Sequence, residues 1–163
     1  MRPDDLAAVA ERLLAWPPAE GGPPLRHHLC EFLDAFYEAA PEARGAMLAR
    51  EPPPTGHAGE DAYLGGVAEH LALLWDAPVP PWADDAARRV SREPHYVGGP
   101  HGALLSRALL AESPVAFRKR FVFTEADPLR RASRRGAPPG WDRPNLRFDP
   151  DPAVGTSAAT PPG

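Results

Sequence analysis

The dipeptide Glu69-His70 places a carboxylate beside an imidazole, a combination used in acid–base catalysis and metal binding. The surrounding stretch predicts a helix, in which neighbouring side chains point about 100° apart. Glu69 then lies opposite an apolar stripe that contains Tyr63 and Leu71, and His70 lies at the edge of that stripe. The second histidine of the His-Glu-x-x-His zinc motif is missing. The pattern therefore favours a core-edge His70, hydrogen-bonded through one ring nitrogen.

Two other groups of residues have metal-like or phosphate-like spacing. His27 and Glu31 are four residues apart, but two ligands make a weak site where structural zinc takes four, so we interpret them as a solvated face. His95 and His101 flank a glycine-rich stretch, HYVGGPHG, that lacks the Lys-Ser/Thr ending of a phosphate loop. A turn between two helices is the favoured interpretation. We predict no catalytic, cofactor-binding or metal-binding residue.

Basic and aromatic residues alternate near the C-terminal end of the helical region. The run 118–120 is flanked by Phe117, Phe121 and Phe123, as in surfaces that bind single-stranded nucleic acid. The alternative is that the rings fill the core and the cations stay in water. A second basic cluster and one tryptophan follow. The predicted partner-binding residues are Arg118, Lys119, Arg120, Arg130, Arg131, Arg134, Arg135 and Trp141.

The charge distribution is uneven. The net charge of the 163 residues is −4, yet residues 118–147 hold nine Arg or Lys against three Asp or Glu. Residues 1–117 hold nine basic and seventeen acidic residues. A basic segment on an acidic body indicates contact with something negative. That can be nucleic acid, an acidic partner protein or the protein's own body.

Composition restricts the class of protein. The chain contains 23 prolines, which end helices and exclude long strands, and a single cysteine, Cys30, which excludes a disulfide within one chain. No apolar run approaches the ~20 residues that span a bilayer. The acidic, amphipathic N-terminus does not resemble a signal peptide. We therefore expect a cytoplasmic protein with no membrane partner.

Apolar residues recur at helical spacing along most of the chain. The clearest stripe begins at Leu25 and ends near Ala40. Further helices are predicted from Leu6, over Pro41–Ala49, from about Glu60 to Trp75, over Ala86–Val90, over Ala103–Glu112 and over Val115–Lys119, with a last short one around Leu129. The mid-helix Gly65 and Gly66 indicate close approach of another backbone. We predict an all-α fold of short helices separated by proline.

The organisation of the chain follows from the same pattern. Residues 1–132 are predicted to form one compact helical domain. From 133 to 163 proline, glycine and arginine dominate, which is typical of an extended or disordered tail.

Several stretches together carry a family likeness. They are EPPPTG before a helix containing AEHLAL, the turn APVPPW, and AESPVAFRKRFVF followed by a segment of the form D-x-L-R-R-A. Between about Leu25 and Ala132 the chain resembles a family of small, largely uncharacterised bacterial helical proteins. No helix-turn-helix precedes the block in this sequence, and Phe121 stands where the family more often has a small residue.

The likeness implies a function. It indicates a non-enzymatic protein similar to the antitoxin- or regulator-like partners of nucleotidyltransferase-fold proteins, binding partly through the basic C-terminal segment. One alternative is a nucleic-acid-binding accessory protein that uses the Arg/Lys/Phe strip. A second is a small metal- or His-dependent enzyme that uses His70, His95 or His101.

Overall fold

The fold is built around one long helix that is buried on every side. A computed structural model describes residues 4–16, 25–85, 89–99 and 101–143. Within these ranges the helices are α1 Leu6–Ala15, α2 Leu25–Glu38, α3 Pro41–Ala49, α4 Ala58–Leu74, α5 Pro81–Asp84, α6 Ala103–Glu112 and α7 Val115–Arg118. Two short strands, β1 His95–Tyr96 and β2 Val122–Phe123, complete the elements. The predicted all-α class is confirmed.

Helix α4 is the centre of the core. Every residue from Ala62 to Ala72 is buried, whereas the sequence pattern predicted a single apolar stripe. A helix that is covered all round must be surrounded by other elements. Helices α3, α5 and α7 and strand β2 pack against it.

Helices α1 and α2 pack against each other. Asp5 caps α1, because its Oδ1 accepts the N–H of Ala8 at 2.8 Å. The predicted stripe of α2 is buried at Leu25, Leu29, Phe32, Leu33 and Phe36, whereas its last predicted member, Ala40, is exposed beyond the end of the helix. Arg50 binds both Asp5 and Glu11 and so fixes the end of α3 beside α1. No helix of the described part of the chain is long and apolar enough to cross a membrane.

The two strands pair in parallel, His95 with Val122 and Tyr96 with Phe123. The N–H groups of Ser91, His95 and Val97 donate to the carbonyl oxygens of residues 120, 121 and 123, each at 3.0 Å. This short ladder fastens the segment before α6 to the segment after α7.

Predicted bounds hold for α3 and α6, and α7 lies within the predicted Val115–Lys119. Helix α5 was not predicted, because its proline-rich sequence indicates a turn. Residues 86–88 of the predicted Ala86–Val90 helix lie outside the described residues, and the described Arg89 and Val90 are not helical.

The predicted last helix around Leu129 is wrong. This segment forms turns, in which the Leu129 carbonyl accepts the Tyr37 hydroxyl at 2.6 Å and not a helical N–H. The Ser113 Oγ, between α6 and α7, accepts the N–H of Thr124 at 2.7 Å and lies 2.5 Å from the Leu109 carbonyl oxygen.

Residues 133–143 of the predicted tail lie against the helical body in turns. The N–H of Gly140 donates to the Leu74 carbonyl at 2.8 Å, and a Cβ built at Gly140 would lie 3.1 Å from the Leu74 Cα. Arg143 binds Asp76. The packed chain therefore continues past the predicted domain end at 132. The rest of the predicted tail, 144–163, lies outside the described residues.

Candidate functional site

The first basic run points largely into the protein. Arg120 is completely buried, with Nη1 2.5 Å from Glu69 Oε2 and 2.6 Å from the Ala116 carbonyl. Its Nη2 binds the Ala83 carbonyl. The prediction that Arg120 faces a partner is therefore corrected, because the guanidinium is enclosed by α4, α5 and α7. Glu69, predicted on the outer face of α4, is buried for the same reason.

Lys119 and Arg118 share this region with Arg120 but remain partly accessible. The Lys119 ammonium lies 2.5 Å from Glu69 Oε1, and its side chain is 34% exposed. Arg118 is half-buried. The buried carboxylate of Glu69 thus holds two cations, so two of the three basic residues in this run bind within the protein's own body.

The second basic cluster is also paired with the body. Arg131 makes a two-pronged ion pair with Asp34, at 3.1 and 2.6 Å. Arg134 makes another with Asp127, at 2.7 and 2.6 Å, and its guanidinium lies 5.5 Å from the centre of the Trp141 ring. Such forked pairs hold a guanidinium in a fixed orientation.

Arg130 and Arg135 are exposed. For them and for the other accessible members of the predicted set, a partner-binding role stays a prediction. Of the three negative surfaces considered for the basic segment, the protein's own body is the one that this geometry supplies.

Phe121 has the least ordinary backbone of the predicted region. Its φ is 62°, in the left-handed region that glycine favours, and its side chain is 39% exposed. The chain needs this conformation to turn from α7 into β2, and a left-handed residue after a helix is most often Gly or Asn. A large apolar side chain at such a position is a strained arrangement.

Aromatic rings connect Phe121 to the start of α6. The ring centres of Phe121 and Phe123 are 5.6 Å apart, those of Phe123 and Tyr96 5.5 Å, and those of Tyr96 and His101 6.4 Å. Since α6 begins two residues after His101, the row leads directly into that helix. We call these four rings the aromatic row.

Helix α6 is apolar but largely uncovered. Leu109 is its only buried residue, whereas Leu104 is 84% exposed and Leu105 and Leu110 are also exposed. Single exposed leucines are ordinary, but Leu104 and Leu105 are consecutive, lie about 100° apart around the helix and form a small apolar patch, whereas Leu110 lies about 120° or more from either. Sequence periodicity could not reveal the exposure of these leucines. A periodic apolar pattern predicts that one face is buried but does not show whether another element packs on it.

His70 lies in the core, as predicted, yet its predicted hydrogen bond is wrong. Neither ring nitrogen has a hydrogen-bond partner among the described residues, and the ring packs on Phe117 with centres 5.4 Å apart. Burial lowers the pKa of His70 to about 4, although Asp127 acts in the opposite direction. The neutral ring behaves as an aromatic filler, separate from the Glu69 ion pairs.

The remaining histidines do not assemble a metal centre. His27 Nε2 lies 3.9 Å from Glu31 on the solvent-facing side of α2. No group of three or more His, Cys, Asp or Glu residues in the described ranges is arranged to hold a metal ion.

His95, at the glycine-rich stretch, lines a surface cleft. Its ring rests on the backbone of α4 at Gly59, where a Cβ would lie 2.7 Å from the ring Cγ. Burial lowers the pKa of His95, and the nearby Glu60 opposes that shift. His101 is the last ring of the aromatic row, and its Nε2 lies 3.3 Å from the Val97 carbonyl oxygen. The glycine-rich stretch thus forms β1 and the wall of this cleft.

Comparison of the chain with protein-family models, with curated proteins and with solved structures finds no match.

Proposed function

We propose that this chain is a non-enzymatic protein-interaction module whose contact surface is centred on Phe121 and helix α6. The single observation that carries the proposal is an exposed phenylalanine held at a φ of 62°. A left-handed backbone costs about 1–2 kcal/mol for a residue with a Cβ. Strain of this kind is concentrated at functional positions.

The surroundings of Phe121 fit a contact surface. The centre of a protein interface is enriched in aromatic residues and depleted of charge, and a few anchors supply most of its affinity. Phe121 would be such an anchor. The exposed Leu104 and Leu105 supply apolar area at the other end of the aromatic row.

The paired arginines change what the basic segment contributes. Ion pairs with Asp34 and Asp127 already satisfy Arg131 and Arg134, so a partner must compete with these bonds. The exposed Arg130 and Arg135 would act at the rim, where charge affects association rate more than affinity. The proposed partner therefore presents an apolar recess to Phe121 and acidic groups only at its edge.

The proposal keeps the biological setting that the family likeness implies. The partner would be a second bacterial protein, with a nucleotidyltransferase-fold protein as the first candidate, and the complex would form in the cytoplasm. An antitoxin- or regulator-like role follows if the complex alters the partner's activity.

Nucleic-acid binding through the basic strip receives less support from the geometry. It requires accessible cations to contact phosphates. Arg120 is enclosed, and Lys119, Arg131 and Arg134 are already paired with carboxylates. No specific observation favours it over the apolar surface.

The experiment compares capture of partners by matched variants. Tagged wild-type protein, Phe121→Gly and Leu104→Ala are incubated with lysate of the source organism, and captured proteins are identified by mass spectrometry. Leu14→Ala is the control, because Leu14 is an exposed helical leucine on a different helix, α1. We expect a nucleotidyltransferase-fold protein that wild type and Leu14→Ala retain and both surface variants lose. Equal retention by all four proteins, or no specific capture by the wild type, would overturn the proposal.

A further inference from the structure

A cleft opens between the N-terminal ends of α2 and α4 and the segment that carries β1. Its volume is about 700 Å³, within the range of small-molecule sites. Leu25, Tyr63, Tyr96 and Val97 supply most of its apolar wall. The cleft is separate from the exposed side of Phe121, although Tyr96 belongs to both the wall and the aromatic row.

The outer wall is a formed part of the fold. Val97 donates to the Phe123 carbonyl at 3.0 Å, which holds the wall to β2. The next two residues, Gly98 and Gly99, have φ values of 95° and 103°, and Gly99 donates back to the Tyr96 carbonyl at 3.2 Å. Residues that carry a side chain rarely adopt a left-handed backbone conformation, and two in succession are rarer still. The two glycines therefore allow the chain to turn here.

Two charged residues of opposite sign line the cleft, Glu60 and Arg26. The Oε2 atom of Glu60 is buried and has no hydrogen-bond partner in the described ranges. Buried polar atoms in native proteins are nearly always hydrogen-bonded, and a carboxylate oxygen can only accept. This oxygen is closed off from solvent, so a donor from outside the chain would satisfy it once the Glu60 carboxylate turns toward the cleft.

Arg26 supplies the positive charge of the same cleft. It is exposed at the cleft, and no described residue forms an ion pair with it. A guanidinium carries five N–H donors in a planar fork that fits a carboxylate. The cleft therefore offers one acceptor for a cation, one donor group for an anion, and an apolar space.

We propose that the cleft binds a small zwitterion with an apolar body, namely an apolar α-amino acid or a dipeptide of apolar residues. Its ammonium group binds Glu60, its carboxylate binds Arg26, and its side chain packs among Tyr63, Tyr96 and Leu25. A ligand with only one charge leaves either Glu60 or Arg26 without a partner. His95, neutral and resting on Gly59, closes one side without adding charge.

The test uses the full chain and two probes, L-phenylalanine and the dipeptide Phe-Phe, titrated up to about 10 mM, a range that detects weak affinity. Binding is measured by calorimetry and by NMR shifts of the Tyr63 and Tyr96 ring signals. Phenethylamine lacks the carboxylate and 3-phenylpropionate lacks the ammonium group. We expect each of them to bind at least about tenfold more weakly than L-phenylalanine, because each forfeits one charge-assisted hydrogen bond.

Matched variants locate the site. Glu60→Gln and Arg26→Gln are each expected to weaken binding of the better probe at least about tenfold. Glu42→Gln and Arg107→Gln, exposed residues of α3 and α6, should leave it unchanged. Circular dichroism verifies that each variant is folded. The proposal is overturned if neither probe binds, if a singly charged analogue binds as tightly as the zwitterion, or if Glu60→Gln and Arg26→Gln bind like the wild type.

Discussion

Arg120 and Phe121 are consecutive residues, and each lies in the environment that would be expected of the other. The arginine is completely buried, and the phenylalanine is 39% exposed. Water favours the reverse arrangement, because burying a charge is costly and exposing an aromatic ring forgoes apolar burial. The buried charge is explained by Glu69 and two backbone carbonyls. The exposed ring has no comparable compensation within the described residues.

The contrast divides the segment 117–121 into two sides. The inward side, Phe117 and Arg120, docks on α4 and contributes to stability. The outward side, Phe121, lowers stability through its left-handed backbone. We infer that the first side is structural and the second is retained for contact, and this difference is what the following experiments measure.

The largest expected effect is at the ion pair. Arg120→Met should lower the free energy of unfolding by about 3–5 kcal/mol, because it leaves Glu69 buried with only one partner. Urea denaturation measures this change. Lys119→Met is the matched control, since it removes the other cation of the same carboxylate from a one-third-exposed position. Its expected cost is about 1 kcal/mol. If the two substitutions lower the free energy of unfolding equally, the assignment of Arg120 to the inward, structural side is wrong.

Acid should destabilise the fold through His70, whose ring packs on Phe117 of the inward side. Its pKa is about 4 in the folded protein and 6.5 when unfolded, so the unfolded chain binds more protons between these values. The contribution of the neutral His70 ring to the free energy of unfolding is fully present above pH 6.5. It is lost as the pH falls toward 4, by about 3 kcal/mol.

The stability–pH profile of a variant tests that assignment. The charged groups that act on His70 are Asp127 and Arg134. His70→Phe keeps an aromatic ring against Phe117 and should remove the His70 share of the loss between pH 6.5 and 4. Burial also lowers the pKa of His28 and of His95, so part of the loss should remain. If the variant loses as much stability over this range as the wild type, His70 is not the group that titrates.

The close fit of Phe117 against α4 should produce a smaller effect. A Cβ built at Gly66 would lie 2.5 Å from Cδ1 of the Phe117 ring. Gly66→Ala should therefore cost about 1–3 kcal/mol through overpacking. Gly45→Ala on α3 gains the same helix propensity and meets its nearest atom, Pro78 Cδ, at 3.3 Å. The difference between their thermal midpoints isolates the contact, and similar midpoints would contradict the close packing.

The smallest expected effect is at Phe121 and has the opposite sign. Phe121→Gly relieves the left-handed backbone, whereas Phe121→Ala removes the same ring and keeps the strain. We expect the glycine variant to be more stable than the alanine variant by about 1 kcal/mol in urea denaturation. An alanine variant that equals or exceeds the glycine variant would show that φ at this position carries no cost.

Local patterns predicted much of this molecule, and long-range contacts account for what they missed. Proline at the first turn and regular apolar spacing were enough for α3 and the α2 stripe. Glu69 was placed on the outside because periodicity treats a carboxylate as solvated, and its partner Arg120 is 51 residues away. Gly65 and Gly66 do mark close approach, but of the Arg120 and Phe117 side chains and not of a backbone.

The candidate sites were less predictable than the fold. The cleft requires three segments to meet, and no spacing rule connects Arg26, Glu60 and His95. The exposure of Leu104 depends on what is not packed against α6. A local signal did exist at Phe121, which lies just after a short helix, where chains often take a left-handed conformation.

The ladder between β1 and β2 also provides a built-in reporter of how firmly the segment 120–123 is held. The amides of Ser91, His95 and Val97 each donate to a carbonyl of that segment, so they exchange with solvent deuterium only when it lifts away. If the segment opens as one unit, the three amides share a single opening free energy. Hydrogen exchange would then follow Arg120 and Phe121 together, without a label or a substitution at either residue.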